Sequence, residues 1–242
     1  MKILSYAMVR NEEALLPYFI RHYHALGDVT IFDDHSEDDT VSVARAEGAT
    51  VLPVEGQEQD LLEHRLLRCK NHAWWPVRND YDWVIAVDSD EFLYHENLLG
   101  ALQHSQDLGA TVLAPCGYQM VSMVFPTGPR PITEQIRRGT ICPMYSKLCC
   151  FNPKRISGIN FAVGSHYADP QGEVQLLPYP GLKLLHYHHL GLDWLDTRYT
   201  SRRRWNAEAQ FLPPLGWCTH NETRERLQEI LTSLNARATE VI

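Results

Sequence analysis

An α/β fold, with a Rossmann-like and mainly parallel sheet flanked by helices, is what the first half of this 242-residue sequence predicts. Short runs rich in Val, Ile and aromatic residues recur along it, apolar stripes of 3.6-residue period stand between them, and the connections are long enough for parallel crossovers. Ile3 to Val9 reads as the first strand. Glu12 to Leu26 follows as an amphipathic helix whose stripe is Leu15, Leu16, Phe19, Ile20, Tyr23 and Leu26, with Gly27 placed for a left-handed cap. Val29 to Phe32 is the second strand, residues 33–39 a polar loop, Thr40 to Glu47 a helix ended by Gly48, and Ala49 to Val54 the third strand. Gln59 to Trp74 has helical spacing of Leu61, Leu62, Leu66, Leu67 and Cys69; Trp83 to Val87 is an apolar strand, Leu98 to Leu108 a helix, and Thr111 to Pro115 a further extended run.

From about Gly117 the pattern changes. Pro126, Pro129, Pro131, Pro143, Pro153, Pro170, Pro178 and Pro180 punctuate short segments, and no long helical stripe precedes Trp194, so the second half reads as irregular with β character. Leu227, Ile230, Leu231 and Leu234 mark a terminal amphipathic helix. The expected organisation is one domain, its parts being residues 1–116, 117–205 and a helical tail over 206–242.

Composition narrows the class. The hydrophobic fraction of 44% with 21% charged residues is ordinary for a folded globular chain. Lys and Arg number 22 against 30 acids, a formal charge of −8, which disfavours general binding to nucleic acid. No apolar run approaches the length of a membrane span, and the amino terminus lacks the apolar segment and cleavage site of a secretory signal, so a cytoplasmic chain is expected. Cys69, Cys116, Cys142, Cys149, Cys150 and Cys218 include no Cys-x-x-Cys, and free thiols are expected. Asn221-Glu222-Thr223 fits a glycosylation sequon that has no meaning inside a cell.

The sharpest chemical signal is Asp82-Trp-Val-Ile-Ala-Val-Asp-Ser-Asp-Glu-Phe92. If the backbone stays extended past the strand, Asp88 and Asp90 share a face, at the carboxyl end of a parallel strand where open α/β sheets bind ligands. Two carboxylates about 4 Å apart repel by roughly 4 kcal/mol at an effective dielectric of 20, and a diphosphate would add to the conflict. A hard divalent cation such as magnesium or manganese removes it. The competing reading is a solvated turn. Residues 33–40, Asp-Asp-His-Ser-Glu-Asp-Asp-Thr, supply a second acidic cluster after a strand, suited to a nucleotide's base or ribose, or to an Asx turn and helix cap at Asp38 or Asp39. Glycine-rich phosphate loops are missing, which argues against dinucleotide oxidoreductases and P-loop enzymes.

These residues carry a family resemblance. Ala-Met-Val-Arg-Asn-Glu-Glu at 7–13, the loop at 33–40, and Trp-Val-Ile-Ala-Val-Asp-Ser-Asp-Glu-Phe at 83–92 resemble, in order and spacing, three signature segments of family 2 glycosyltransferases. The run from Ser146-Lys147-Leu148 to His166 and the segment Leu184-Leu185-His186-Tyr187 resemble a short bacterial branch related to family 92. The resemblance implies an A-type glycosyltransferase fold, a nucleotide-binding half over 1–116, an acceptor-side half over 117–205, and inverting transfer from a nucleotide sugar, a uridine diphosphate sugar by family habit, to a hydroxyl. Carried onto matching positions, Arg10, Asn11, Glu12, Asp34, Lys70 and Asp88 would bind the nucleotide, and Asp88, Asp90 and His186 would hold Mn2+ or Mg2+. His35 stands where the family has glycine, and the family's usual downstream acidic pair is not visible.

Inverting transfer needs a base for the acceptor's proton. His166, beside Gly164, has a suitable ordinary pKa, and Asp169 and Glu134 are alternatives. His188 and His189 read either as further ligands or as packing at a strand edge, and Arg202, Arg203 and Arg204 as an anion site or a solvated helix face. The acceptor implied is a glycan or lipid-linked molecule, which leaves room for peripheral association with a membrane. A nucleotidyltransferase lacks its glycine-rich basic signature here, whereas a catalytically silent sugar-nucleotide or glycan-binding module stays open as the alternative.

Overall fold

The protein's computed structural model describes residues 1–55, 62–208 and 222–242. The chain forms two compact units, residues 1–118 with 142–186, and residues 119–141 with 187–242. The first unit opens with β1 (Ile3–Val9), α1 (Leu16–His24), β2 (Asp28–Asp33), α2 (Thr40–Ala46), β3 (Thr50–Pro53), α3 (Leu62–His72), β4 (Trp83–Ala86), β5 (Glu91–Tyr94), α4 (Leu98–Asp107) and β6 (Val112–Leu113). β7 (Cys116–Ser122) then leads into the second unit, which holds α5 (Ile132–Gln135) and β8 (Arg138–Ile141). The chain returns to the first unit for β9 (Cys150–Phe151), β10 (Ile156–Gly158), β11 (Gln171–Gly172) and β12 (Leu176–Leu177). β13 (Lys183–Leu190) leads out again to α6 (Leu192–Glu208), α7 (Arg224–Arg237) and β14 (Thr239–Glu240).

The fold class is the α/β one read from the sequence. The first unit's main sheet has the order β12-β6-β9-β4-β1-β2-β3, and all its pairings are parallel except those of β9, which runs antiparallel to both β4 and β6. β1 is an interior strand, between β4 and β2, which is why nearly every residue of Ile3–Val9 is buried. One face of it, Leu4 and Tyr6, packs with Val84, Ala86, Phe151, Trp74 and Cys69, the last supplied by α3. Each fully buried side chain of this size contributes about 1.5–3 kcal/mol. With the right-handed hand that parallel crossovers take as a rule, α1 and α2 fall on one face and α3 on the other, because the chain moves outward from β1 through β2 to β3 and then returns past β1 to β4.

Local chemistry shifts several boundaries. Regular helix begins at Leu16 rather than Glu12, with Pro17 in the first turn, where its missing N–H costs nothing; Glu12 instead accepts from Leu15 and Leu16 at 3.2 and 3.0 Å. Gly48 has the left-handed backbone expected of it, φ +88°, but Gly27 does not. Gly27 is needed for space: a Cβ there would stand 2.4 Å from the Ile3 carbonyl oxygen. The expected helix over Gln59–Trp74 is described from Leu62, and residues 59–61 lie outside the described residues.

In the second unit β14 pairs antiparallel with β8, and Leu231 and Leu234 of α7 pack with Val121, Ala238 and Leu192. Thr223 caps α7 by accepting from the Arg226 N–H at 3.3 Å. Five cysteines are free thiols among the described residues; Cys218 and Asn221 lie outside them. No helix among the described residues is long and apolar enough to cross a membrane.

His22 gives the first unit a pH dependence. Its ring sits in α1 against Tyr23 and Phe92, its Nε2–H donates to the Leu93 carbonyl at 2.9 Å, and burial pushes its pKa down to about 4 from 6.5. The unfolded chain therefore binds more protons than the folded one between these values, so stability is full above pH 6.5 and falls as the pH drops towards 4. Urea denaturation should show the wild type losing about 2 kcal/mol across that window relative to His22→Gln.

A candidate active site at the carboxyl rim of the sheet

β4, β1 and β2 are neighbours and parallel, so the segments that leave their carboxyl ends meet on one rim. Arg10 to Glu12 follow β1, Asp34 follows β2, and Asp88 to Asp90 follow β4. The Asp34 N–H donates to the Val9 carbonyl at 2.8 Å and the Val87 N–H to that of Tyr6 at 3.2 Å, which ties the three segments together. Between β1 and β4 the order of connection reverses, the position where open α/β sheets form a ligand crevice.

Asp88 and Asp90 are not extended, as the sequence reading had them. The Glu91 N–H donates to the Asp88 carbonyl at 2.9 Å, closing a turn between β4 and β5, so strand alternation does not orient the two carboxylates. Asp88 meets cations on both oxygens: Lys70 Nζ lies 2.6 Å from Oδ1 and Lys147 Nζ 3.0 Å from Oδ2. Lys147 also lies 2.5 Å from Glu91 Oε1, while Glu91 Oε2 accepts from the Asp88 N–H at 3.1 Å. Lys70, Lys147 and Glu91 are 1%, 4% and 0% exposed, so these charges are compensated by one another rather than by water. Burial pushes the Asp88 carboxyl up, but Lys147 and Lys70 outweigh it and hold the group well below the usual carboxylate range; Asp90 works against them.

Strand pairing explains the position of Lys147. β9 runs antiparallel to β4 with Ile85 opposite Cys150, and the Ala86 N–H still donates to the Cys149 carbonyl at 2.9 Å. Lys147 lies two residues before Cys149, so this pairing brings its segment alongside the end of β4. Gly117 lets the segment lie there, since a Cβ on it would fall 2.2 Å from the Tyr145 carbonyl carbon.

β13 pairs antiparallel with β5 and sets His186 opposite Glu91. His186 Nε2 lies 3.5 Å from Asp90 Oδ2, and the Tyr145 ring packs on the His186 ring at 4.0 Å between centroids. His166 is exposed, 5.7 Å from the Tyr145 ring, and its Nδ1–H donates to the Met144 carbonyl at 3.0 Å. That bond leaves Nε2 as the basic nitrogen of the neutral ring. Partial desolvation of the side of the ring turned to the protein, and then the Lys147 ammonium, lower the pKa of His166, which favours that neutral form. Asp169, the other candidate base, is exposed on a loop whose backbone is bonded to Asn160. In the second unit Glu134 pairs with Arg130 at 3.7 Å, and His188 accepts from Arg198 on Nδ1 at 3.1 Å while its Nε2 lies 3.3 Å from the Tyr199 hydroxyl. Arg203 and Arg204 are among residues whose side chains lie outside the described ones.

After β1, Arg10 approaches Glu37 at 4.0 Å, and Asn11 ties to the 33–40 loop by accepting from the Glu37 N–H at 2.7 Å. Glu12, 7% exposed, donates its N–H to Thr40 Oγ1 at 2.7 Å. Asp38 serves the turn, accepting from the Thr40 N–H at 3.0 Å. His35 has φ +58°, so it adopts the left-handed conformation that glycine would take more readily. Asp34 is fully buried and bound by Arg65 through both oxygens, at 2.7 and 2.9 Å. Asn71 fixes the 160s loop, donating to the Phe161 carbonyl at 3.2 Å and accepting its N–H at 2.7 Å.

Arg65, Glu91, Tyr145 and Lys147 are the participants to which the sequence reading gave no role. A signal existed for Glu91, an acid inside an apolar segment, but the others depend on pairing across long stretches of chain. As a metal site the arrangement is uneven. Asp90 and His186 offer a carboxylate and an imidazole, a donor pair that suits manganese. At Asp88 a divalent ion about 4 Å from either ammonium would be repelled by about 8 kcal/mol by each at an effective dielectric of 20, which offsets much of the attraction of the carboxylates around it. The Asp90–His186 pair fits a cation, and both Asp88 oxygens are engaged by lysines.

The sequence matches no protein-family model and no curated protein. Among solved structures, 49% of the chain aligns with 43% of glucosyl-3-phosphoglycerate synthase from Mycobacterium tuberculosis in complex with Mn2+, uridine diphosphate and phosphoglyceric acid, at 22% identity and a TM-score of 0.33. The chain thus spans less than half the length of that protein. S. aureus TarS (residues 1–349) aligns over 97% of this chain and 71% of its own at 13% identity, TM-score 0.41. The same synthase with Mn2+, uridine diphosphate and glucosyl-3-phosphoglycerate aligns over 89% and 82% at 17% identity, TM-score 0.41.

Arg65→Met should cost about 3–5 kcal/mol in chemical denaturation, because it strands the buried Asp34 carboxylate, and Asp34→Asn in the same chain should restore much of the loss.

Proposed function

We propose that the chain is a metal-dependent glycosyltransferase that moves a sugar, with inversion, from a nucleotide-sugar donor to a hydroxyl acceptor. The observation that carries this reading is the Asp90–His186 pair, set 3.5 Å apart beside a carboxylate held by two lysines, at the rim where three parallel strands end. The motif resemblance over residues 7–13, 33–40 and 83–92 adds the activity and the A-type fold that the family shares. Asp90 and His186 would hold Mn2+ or Mg2+, and the bound ion supplies charge stabilisation to the departing diphosphate. Arg10, Asn11, Glu12 and Asp34 would frame the nucleotide, with Arg65 fixing Asp34. Residues 1–116 would form the nucleotide half and 117–205 the acceptor-side half of a single domain with a tail over 206–242, in a cytoplasmic enzyme. The donor would be a uridine diphosphate sugar, and the acceptor a glycan or lipid-linked molecule reached by peripheral contact with a membrane.

His166 suits the base better than Asp169 does. Its Nε2 is left to receive the acceptor proton by the Nδ1–H bond to Met144, and its ring neighbours Tyr145, which packs on His186. Proton transfer by a positioned base contributes about 10²–10⁴-fold to rate.

Release of free nucleotide from a panel of sugar nucleotides with Mn2+ tests the reading. Asp90→Asn should lower turnover by about 10²–10³-fold, the loss typical of a removed transition-state stabiliser. His166→Gln should lower kcat by about 10²–10⁴-fold with little change in donor affinity. Tight donor binding without hydrolysis or transfer for any acceptor would instead identify a silent sugar-nucleotide-binding module.

A further inference from the structure

We propose that Asp88 anchors a two-lysine clamp and is not a metal ligand, so that Lys147 and Glu91 act as positioning residues for the metal-binding pair Asp90 and His186. The inference rests on the glycosyltransferase reading only in expecting a divalent ion at the rim. Both Asp88 oxygens already face ammonium groups, Lys70 at 2.6 Å and Lys147 at 3.0 Å. Those lysines are 1% and 4% exposed, so neither can exchange the carboxylate for water if Asp88 turns to a cation. Lys147 has a second hold at 2.5 Å on Glu91, whose other oxygen accepts the Asp88 N–H. One ammonium group therefore joins the first and last residues of the turn that presents Asp90.

Glu91 also lies opposite His186 across the β5–β13 pairing. The same residue thus fixes the turn and neighbours the strand position of the imidazole. Loosening the clamp should alter how Asp90 and His186 meet without removing either donor group.

Mn2+ titration of purified, folded protein, followed by the electron paramagnetic resonance of the free ion, tests this without reference to turnover. Asp90→Asn and His186→Gln should abolish saturable binding, whereas Asp88→Asn should retain it with at most about a tenfold loss of affinity, the scale of an outer-shell partner. The charge-balanced double variant Lys147→Gln with Glu91→Gln frees one Asp88 oxygen while keeping side-chain size, and covers the case in which Asp88→Asn does not fold. It should still bind Mn2+ but about tenfold more weakly than the wild type, binding as tight as the wild type's counting against a positioning role, and Lys147→Arg should bind better than Lys147→Gln. Loss of binding in Asp88→Asn as complete as in Asp90→Asn, tighter binding in the double variant, or no binding by the wild type would each overturn the clamp. Failure to release nucleotide from any sugar nucleotide would defeat the glycosyltransferase reading and leave this binding pattern intact.

Discussion

The charge pairing around Asp88 is the constraint on which the rest of the rim depends. Three carboxylates, Asp88, Asp90 and Glu91, lie within four residues, and a turn that holds them needs fixed positive charge close by. Lys70 and Lys147 supply it from buried positions, where an unpaired ammonium would be as costly as an unpaired carboxylate. The cluster is stable only as a whole. That mutual dependence fixes the turn geometry, and with it the approach of Asp90 to His186.

α3 holds the same rim together from the face opposite α1 and α2. Arg65 grips Asp34, Lys70 grips Asp88, Asn71 brackets Phe161, and Glu63 accepts the Gly164 N–H at 2.6 Å. One helix thus connects the loop after β2, the turn after β4 and the segment that leads to His166. Tyr6 adds a hold from the central strand, its hydroxyl donating to the Lys70 carbonyl at 2.7 Å. Polar residues on this helix do the work that an apolar stripe does elsewhere, because the loops they meet carry backbone and carboxylate groups needing partners.

Most of the first unit was legible because its signals are local. Apolar periodicity located β1 to β4 and the helices between them, and an apolar strand before Asp88 pointed to the rim. The misreadings were failures of local rules at places decided by distant chain. Gly27 looked like a left-handed cap but answers to the Ile3 carbonyl, and the Asp-Ser-Asp segment looked extended but closes into a turn beneath Lys147. β9 left only a two-residue trace in a proline-broken region, too short for a period to register, although its pairing with β4 brings the segment of Lys147 alongside the rim.

Chain order, period and turn composition were enough to give the alternation of strands and helices and the residue types gathered after β1, β2 and β4. Tertiary structure alone decided which charges meet: that both Asp88 oxygens belong to lysines 18 and 59 residues away, that Asp34 belongs to Arg65, and that His186 lies beside Asp90. The reason is physical. Periodicity reports which side of an element is buried, whereas the partner of a buried charge is set by strand register and helix placement across the whole sheet.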